Sequence, residues 1–187
     1  MAKARIRFVT SNQGKLREVQ SMLPGFHVEK VSIDIPELQG TPKQIIEEKL
    51  KAAYREIKEP VIVEDTSLMI NAFGGLPGPY IKDFVRKMGI KRMSKLTALE
   101  GSTEATASCI FGYMDSNEMK LFSGEVKGKI VAPRGKDGFD WDPIFQPNCH
   151  KLTFAEMPMT QKNKISHRKK ALMKLRVFIE KRLKKTF

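Results

Sequence analysis

Residues 59–65, Glu59-Pro60-Val61-Ile62-Val63-Glu64-Asp65, decide the fold. The proline halts whatever precedes it. Three β-branched residues follow, apolar on both faces, as in a strand buried inside a sheet. The short run then meets two carboxylates, which are expected to emerge directly after the strand. Ligands in α/β proteins gather at the carboxyl ends of such strands. Two adjacent acids there repel and lose hydration unless a cation compensates, and oxygen-only ligation suits Mg²⁺. The competing reading has Asp65 capping or turning the chain before Thr66.

Upstream, Glu59-Pro60 ends a helix whose start is equally clear. Thr41-Pro42-Lys43-Gln44 supplies a capping hydroxyl, a proline at the first helical position and a glutamine three residues after the cap. Ile46, Leu50, Ala53 and Ile57 form its buried stripe. Further back, Arg5 to Thr10 is predicted as a strand, with Ile6 and Phe8 on one face and Val9 on the other. The polar run Thr10-Ser11-Asn12-Gln13-Gly14 leads into a short helix marked by Leu16, Val19 and Leu23, with Asn12 as its cap and Pro24-Gly25 as its stop. A strand is expected from Val28 to Ile33.

Downstream, Gly74-Gly75-Leu76-Pro77-Gly78-Pro79-Tyr80 is an ordered loop whose backbone can approach a ligand, with Lys82 one turn into the next helix. It has neither Walker A spacing nor a strand feeding it as a dinucleotide fingerprint requires. Helical stretches are expected over Tyr80 to Met88 and Met93 to Leu99. Two long strands follow, Ala105 to Met114 and Lys120 to Val131, joined through Asp115-Ser116-Asn117. A last helix carries Ala171, Leu172, Leu175, Phe178, Ile179 and Leu183 on one face. This order predicts an α/β protein with a mixed sheet, in one domain over residues 1–187.

Composition narrows the function. The 187 residues carry 34 Lys+Arg against 21 Asp+Glu, a net +13, with 41% apolar residues. That is enough apolar content for a core without metal or disulfide staples, and two cysteines make no disulfide framework. The amino-terminal residues are too polar for a signal peptide, and no apolar run approaches a membrane span. A cytoplasmic protein with no membrane partner is expected. The excess charge implies an anionic partner, and most of it is local: residues 162–187 hold 11 Lys+Arg and one acid.

Two more segments could carry chemistry. Gly138-Phe139-Asp140-Trp141-Asp142-Pro143-Ile144-Phe145 sets aromatic rings beside carboxylates, which could stack on a base and accept its ring N–H protons. Phe145 is better read as core. In Lys162-Asn163-Lys164-Ile165-Ser166-His167-Arg168, Ser166 can cap the last helix. His167 and Arg168 then stand in its first turn, where a cationic pair opposes the helix dipole unless an anion or carbonyl joins it. Cys109, Cys149 and His150 lack the spacing of a zinc site and no base is placed for a thiol nucleophile. His27 and His150 are expected to be surface or structural residues.

Taken in order, TSNQGKLREV, DIPELQG, VIVEDTSLMINAFGGLPGPYIKDF, GKIVAPRGKDGFDWDPIF and FAEMPMTQKNKISHR resemble the inosine triphosphate pyrophosphatase family, the Ham1-like nucleoside triphosphatases, across the whole chain. The Trp form of the aromatic segment is similar to the eukaryotic members. The resemblance implies an elongated central mixed sheet flanked by helices, with two lobes and an active-site cleft between them. It implies a homodimer hydrolysing ITP, dITP and XTP between the α and β phosphates, with Mg²⁺ as cofactor and Mn²⁺ as a substitute.

The same resemblance implies roles residue by residue. Thr10, Asn12 and Lys15 hold the triphosphate, with Lys15 reaching the pyrophosphate portion, and Lys82 lines the cleft. Glu37 and Glu64 bind the metal, and Asp65 sits beside it as the base orienting water. Phe139 stacks on the purine, Trp141 and Asp142 shape the base and sugar end, and Lys162 touches phosphate. Ser166, His167 and Arg168 close the base pocket. Asp140 and Ser11 stand where the family usually has glycine. Aspartate is among the better substitutes if the backbone there needs a positive φ. Two other readings compete: a nucleic-acid binder using the basic terminal helix, and a related triphosphatase with a pyrimidine or modified-base preference.

Overall fold

The computed structural model describes residues 4–35 and 38–185. Seven strands form one mixed sheet: β1 Ala4–Val9, β2 Phe26–Val31, β3 Val61–Ile70, β4 Pro77–Gly78, β5 Glu104–Met114, β6 Met119–Ile130 and β7 Phe145–Pro147. Their order is β2-β1-β3-β5-β6-β7, with β4 also paired to β3. β1 runs parallel to both β2 and β3, whereas β4 on β3 and β7 on β6 are antiparallel. The helices are α1 Gln13–Met22, α2 Pro42–Ile57, α3 Ile81–Met88, α4 Ile90–Leu99, α5 Met159–Ile165 and α6 His167–Lys185. None of the described helices is long and apolar enough to cross a membrane.

Local signals were sound where they were strong. Thr41 and Gln44 make the reciprocal capping box, and the Asn12 side chain accepts from Lys15 N at 3.0 Å. Asp115 accepts from the backbone N–H groups of Asn117 and Glu118, closing the turn between β5 and β6. α5, which the sequence reading missed, begins after Pro158 in a polar run without an apolar stripe.

The chain divides into two compact units. The first comprises residues up to Asp65, Cys109–Gly124 and residues from Arg168 on. Strand alternation explains its two cores. Ile6, Phe8 and Ile62 pack with Leu16 and Val19 of α1 and Leu172 and Leu175 of α6, while Val9, Val61 and Val63 pack with Ile46 and Leu50 of α2. Helices thus cover both faces of this part of the sheet. The second unit, Thr66–Ser108 and Glu125–His167, has its own core of Leu68, Ile70, Met93, Ile130, Phe145 and Phe154. Phe145 is wholly buried there, as expected of a core residue.

Candidate active site

One correction sets the geometry. β3 does not stop before the carboxylates; it continues to Ile70, so Glu64 and Asp65 lie within a ten-residue strand. The reason is that Leu68 and Ile70 are anchored in the second unit's core, which two acids in the middle of the run conceal from a pattern reading. The strand nevertheless outruns its parallel neighbour. Pairing of β1 with β3 ends at Val9 and Val63, so Glu64 is the first β3 residue beyond β1.

Parity along the strand then separates the two acids. Glu64 shares the face of Ile62, toward α1 and α6, whereas Asp65 shares the face of Val63, toward α2. On the first face Lys15 Nζ lies 2.6 Å from Glu64 Oε2, and Arg168 Nη2 lies 3.2 Å from Glu64 Oε1. Arg168 Nη1 is paired with Glu18 Oε2 of α1. The anionic partner that a basic helix start requires is therefore this acid pair. On the second face, Lys49 of α2 is paired with Asp65 Oδ1. Three cations, Lys15, Lys49 and Arg168, thus meet three carboxylates, Glu18, Glu64 and Asp65.

Burial strengthens these pairs. It would by itself lower the pKa of the Lys15 ammonium, but the charges of Glu64 and Asp65 and the Glu64 hydrogen bond together outweigh it, and the net shift is upward from 10.5. The Arg168 guanidinium behaves likewise, with burial opposed by Glu64 and Glu18 and the net shift upward. Cys109 of β5, fully buried, donates to Glu64 Oε1 at 3.1 Å. Burial first, and the Glu64 charge second, push its thiol well above 9.0. Such a thiol is a donor and no nucleophile.

Thr10, Asn12 and Lys15 form one local device. Thr10 Oγ1 accepts from Asn12 N at 3.1 Å and Asn12 Oδ1 caps α1, so the turn between β1 and α1 is fixed by its own side chains. A helix amino terminus following a parallel strand is a favourable place for phosphate oxygens.

A divalent ion suits the acids on their chemistry. Asp65 Oδ2 is buried and has no hydrogen-bond partner among the described residues. Carboxylate oxygens are the donors that a hard cation prefers, with water and phosphate supplying its remaining ligands. Among the described residues no three His, Cys, Asp or Glu side chains converge on one point. Glu37, the other expected ligand, lies outside the described residues.

The second unit holds the aromatic segment around Phe139 and Trp141. Asp142 Oδ2 accepts from Phe139 N at 2.9 Å and from Lys162 Nζ at 2.6 Å, and that ammonium lies 4.6 Å from the centre of the Phe139 ring. Lys162, assigned to phosphate by resemblance, is buried beneath the half-buried Phe139. Asp140 adopts φ 54°, the left-handed conformation in which aspartate is tolerated. Trp141 is core, edge-on to Phe145 at 5.5 Å and 5.4 Å from the His167 ring. Ser166 and His167 are buried where α6 begins. The loop from Gly74 to Pro79 is ordered through pairing of Pro77 and Gly78 with β3, and Lys82 is exposed in the first turn of α3.

Sequence reasoning missed Lys49 and Glu18. Lys49 has no acid three or four residues before it, and its partner Asp65 is 16 residues on, so only the fold brings the two together. Glu18 offered a faint signal, an acid beside the apolar stripe of α1, three residues after Lys15.

The mixed α/β fold, with helices over the sheet, is that of the Ham1 proteins. The Ham1 family model matches residues 6–178. The chain is 44% identical over 192 aligned positions to an inosine triphosphate pyrophosphatase of Puccinia graminis f. sp. tritici, covering 97% of this chain and 100% of that one. It is also 44% identical over 178 positions to an inosine triphosphate pyrophosphatase of Schizosaccharomyces pombe, covering 94% and 95%. The Ham1 protein of Staphylococcus aureus has a similar structure, with TM-score 0.83 at 27% identity over 95% of this chain and 99% of that one. The chain belongs to the Ham1 family.

Proposed function

We propose that this chain hydrolyses non-standard purine nucleoside triphosphates, ITP, dITP and XTP, to the monophosphate and pyrophosphate in the presence of Mg²⁺. The observation that carries the reading is Asp65, with Oδ1 held by Lys49 and Oδ2 buried and open. An oriented carboxylate with one available oxygen has the form of a general base for water. The names of the relatives support the substrate class.

In this mechanism the α1 amino terminus and Lys15 receive the phosphates. Water attacks the α phosphorus, Asp65 Oδ2 takes the proton that the water gives up, and the bond from the α phosphorus to the α–β bridging oxygen breaks as pyrophosphate leaves. Glu64 and Glu37 would hold the metal beside Asp65, and when bound it would neutralise charge on the phosphate oxygens. Lys15 offsets charge building on the leaving pyrophosphate. Phe139 provides the stacking surface, and His167 is the donor matched to a 6-oxo purine. Against the 6-amino group of adenine that donor is unpaired, a penalty of about 1–3 kcal/mol. Arg168 contributes from the carboxylate side, since both its Nη atoms are engaged by Glu18 and Glu64.

The test is pyrophosphate release from ITP and XTP against ATP and GTP with Mg²⁺, on the wild type and on Asp65→Asn. The wild type turns over ITP and XTP preferentially, whereas the variant binds ITP and loses about 100-fold or more in turnover. Equal turnover of all four nucleotides, or an unimpaired variant, would refute the reading.

A further inference from the structure

Both carboxylate oxygens of Glu64 are engaged, each by a different element. Oε1 lies between Arg168 Nη2 at 3.2 Å and the Cys109 sulfur at 3.1 Å, while Oε2 faces Lys15 Nζ. Arg168 is shared with Glu18 and so cannot by itself dictate where Oε1 points. Cys109 can. It sits on β5, the strand beside β3, and reaches Glu64 across the sheet from a site with no exposure to solvent. A strand is a stiffer mount than the long Lys15 and Arg168 side chains.

We infer that Cys109 is a positioning residue for Glu64: its S–H hydrogen bond to Oε1 fixes the carboxylate's rotation, so that Oε2 is presented to the cation that binds there. The inference rests on the functional reading above, in which Glu64 is a metal ligand. Groups that hydrogen-bond to a ligating carboxylate orient it and raise its effective affinity for the ion, and removing one typically costs about tenfold or more in metal binding. A thiol is a weak donor, yet here its partner is a charged carboxylate, which strengthens the bond. Serine at this position keeps a donor, while alanine removes it at nearly the same volume. That pair separates orientation from packing.

The experiment measures binding of an ITP analogue with a methylene group in place of the α–β bridging oxygen, by calorimetry, with and without Mg²⁺, alongside the thermal midpoint. In the wild type Mg²⁺ tightens binding. Cys109→Ala loses roughly tenfold of that tightening, its metal-free affinity stays at the wild-type value, and Cys109→Ser regains most of the loss. A full magnesium response in Cys109→Ala overturns the inference. So does an equal loss in both variants, which marks a packing effect, and so does a folded Cys109→Ser without the magnesium response. A wild type with no magnesium response and no release of pyrophosphate from ITP refutes the functional reading, and this assignment falls with it.

Discussion

Arg168 and Glu64 stand 104 positions apart in the chain and are joined, Nη2 to Oε1, at 3.2 Å, both with side chains shielded from solvent. A guanidinium can serve Glu64 and Glu18 together because its planar fork presents two separate edges. Removing it leaves two buried acids with Lys15 as their chief counter-charge. Arg168→Met is therefore expected to destabilise the protein by about 3–5 kcal/mol, read as a lower urea midpoint. Arg168→Lys, a single point charge, should recover only part of that.

Lys49 acts through Asp65. With Oδ1 unpaired, the carboxylate can rotate away from the water that it activates. Lys49→Met should lower kcat for ITP about 100-fold with little change in KM, and Lys49→Arg should restore part of the rate. Steady-state kinetics with Mg²⁺ checks this, and a loss confined to KM would contradict it.

Gly138 is fitted against the Asp142 carboxylate. It has φ +83°, and a Cβ there would fall 2.5 Å from Asp142 Oδ2, the atom that holds both Phe139 N and Lys162. Gly138→Ala is expected to displace the stacking ring and raise KM for ITP roughly tenfold. Gly74 also has positive φ, +62°, but open space around it. Gly74→Ala should cost about 1–2 kcal/mol in stability and leave KM nearly unchanged.

Acid should weaken the turn that joins β5 and β6. Burial would raise the Asp115 pKa, but hydrogen bonds from Asn117 N, Tyr113 and Glu118 N, and the charge of Arg182, hold it below 3.8. A depressed carboxylate contributes stability above its ordinary pKa and loses it as the pH falls through the lowered value. Asp115→Asn should thus be less stable than wild type at pH 7, and the gap should narrow below about pH 3.8. Thermal midpoints across pH 2.5–7 measure it; a gap independent of pH would be the contrary result.

What could be read in the chain beforehand follows from the range of the interaction responsible. The α2 capping box and the Asn12 cap are decided within four residues, and both were legible. The alternation of Ile6 and Phe8 against Val9 correctly predicted opposite faces. β3 beyond Val63 was hidden because Glu64 and Asp65 break the apolar run, and their burial is offset by partners distant in the chain, Lys15, Lys49 and Arg168 on three helices and Cys109 on β5. Lys49 was invisible for that reason: its partner Asp65 lies 16 residues away in the chain, whereas Lys51 pairs locally with Glu48. The motifs did single out Arg168. Its placement on Glu18 and Glu64 depends on contacts spanning most of the sequence, which no local pattern encodes.

The same span bears on the order in which the protein is made. Glu18 and Glu64 leave the ribosome long before Arg168, which follows Glu18 by 150 residues. Until α6 is synthesised, the nascent chain carries both acids without the guanidinium that makes their burial tolerable. The first unit can close only late, in one step with its final helix. A chain broken off before Arg168 should accordingly be a substrate for quality control, with no weakly active enzyme formed.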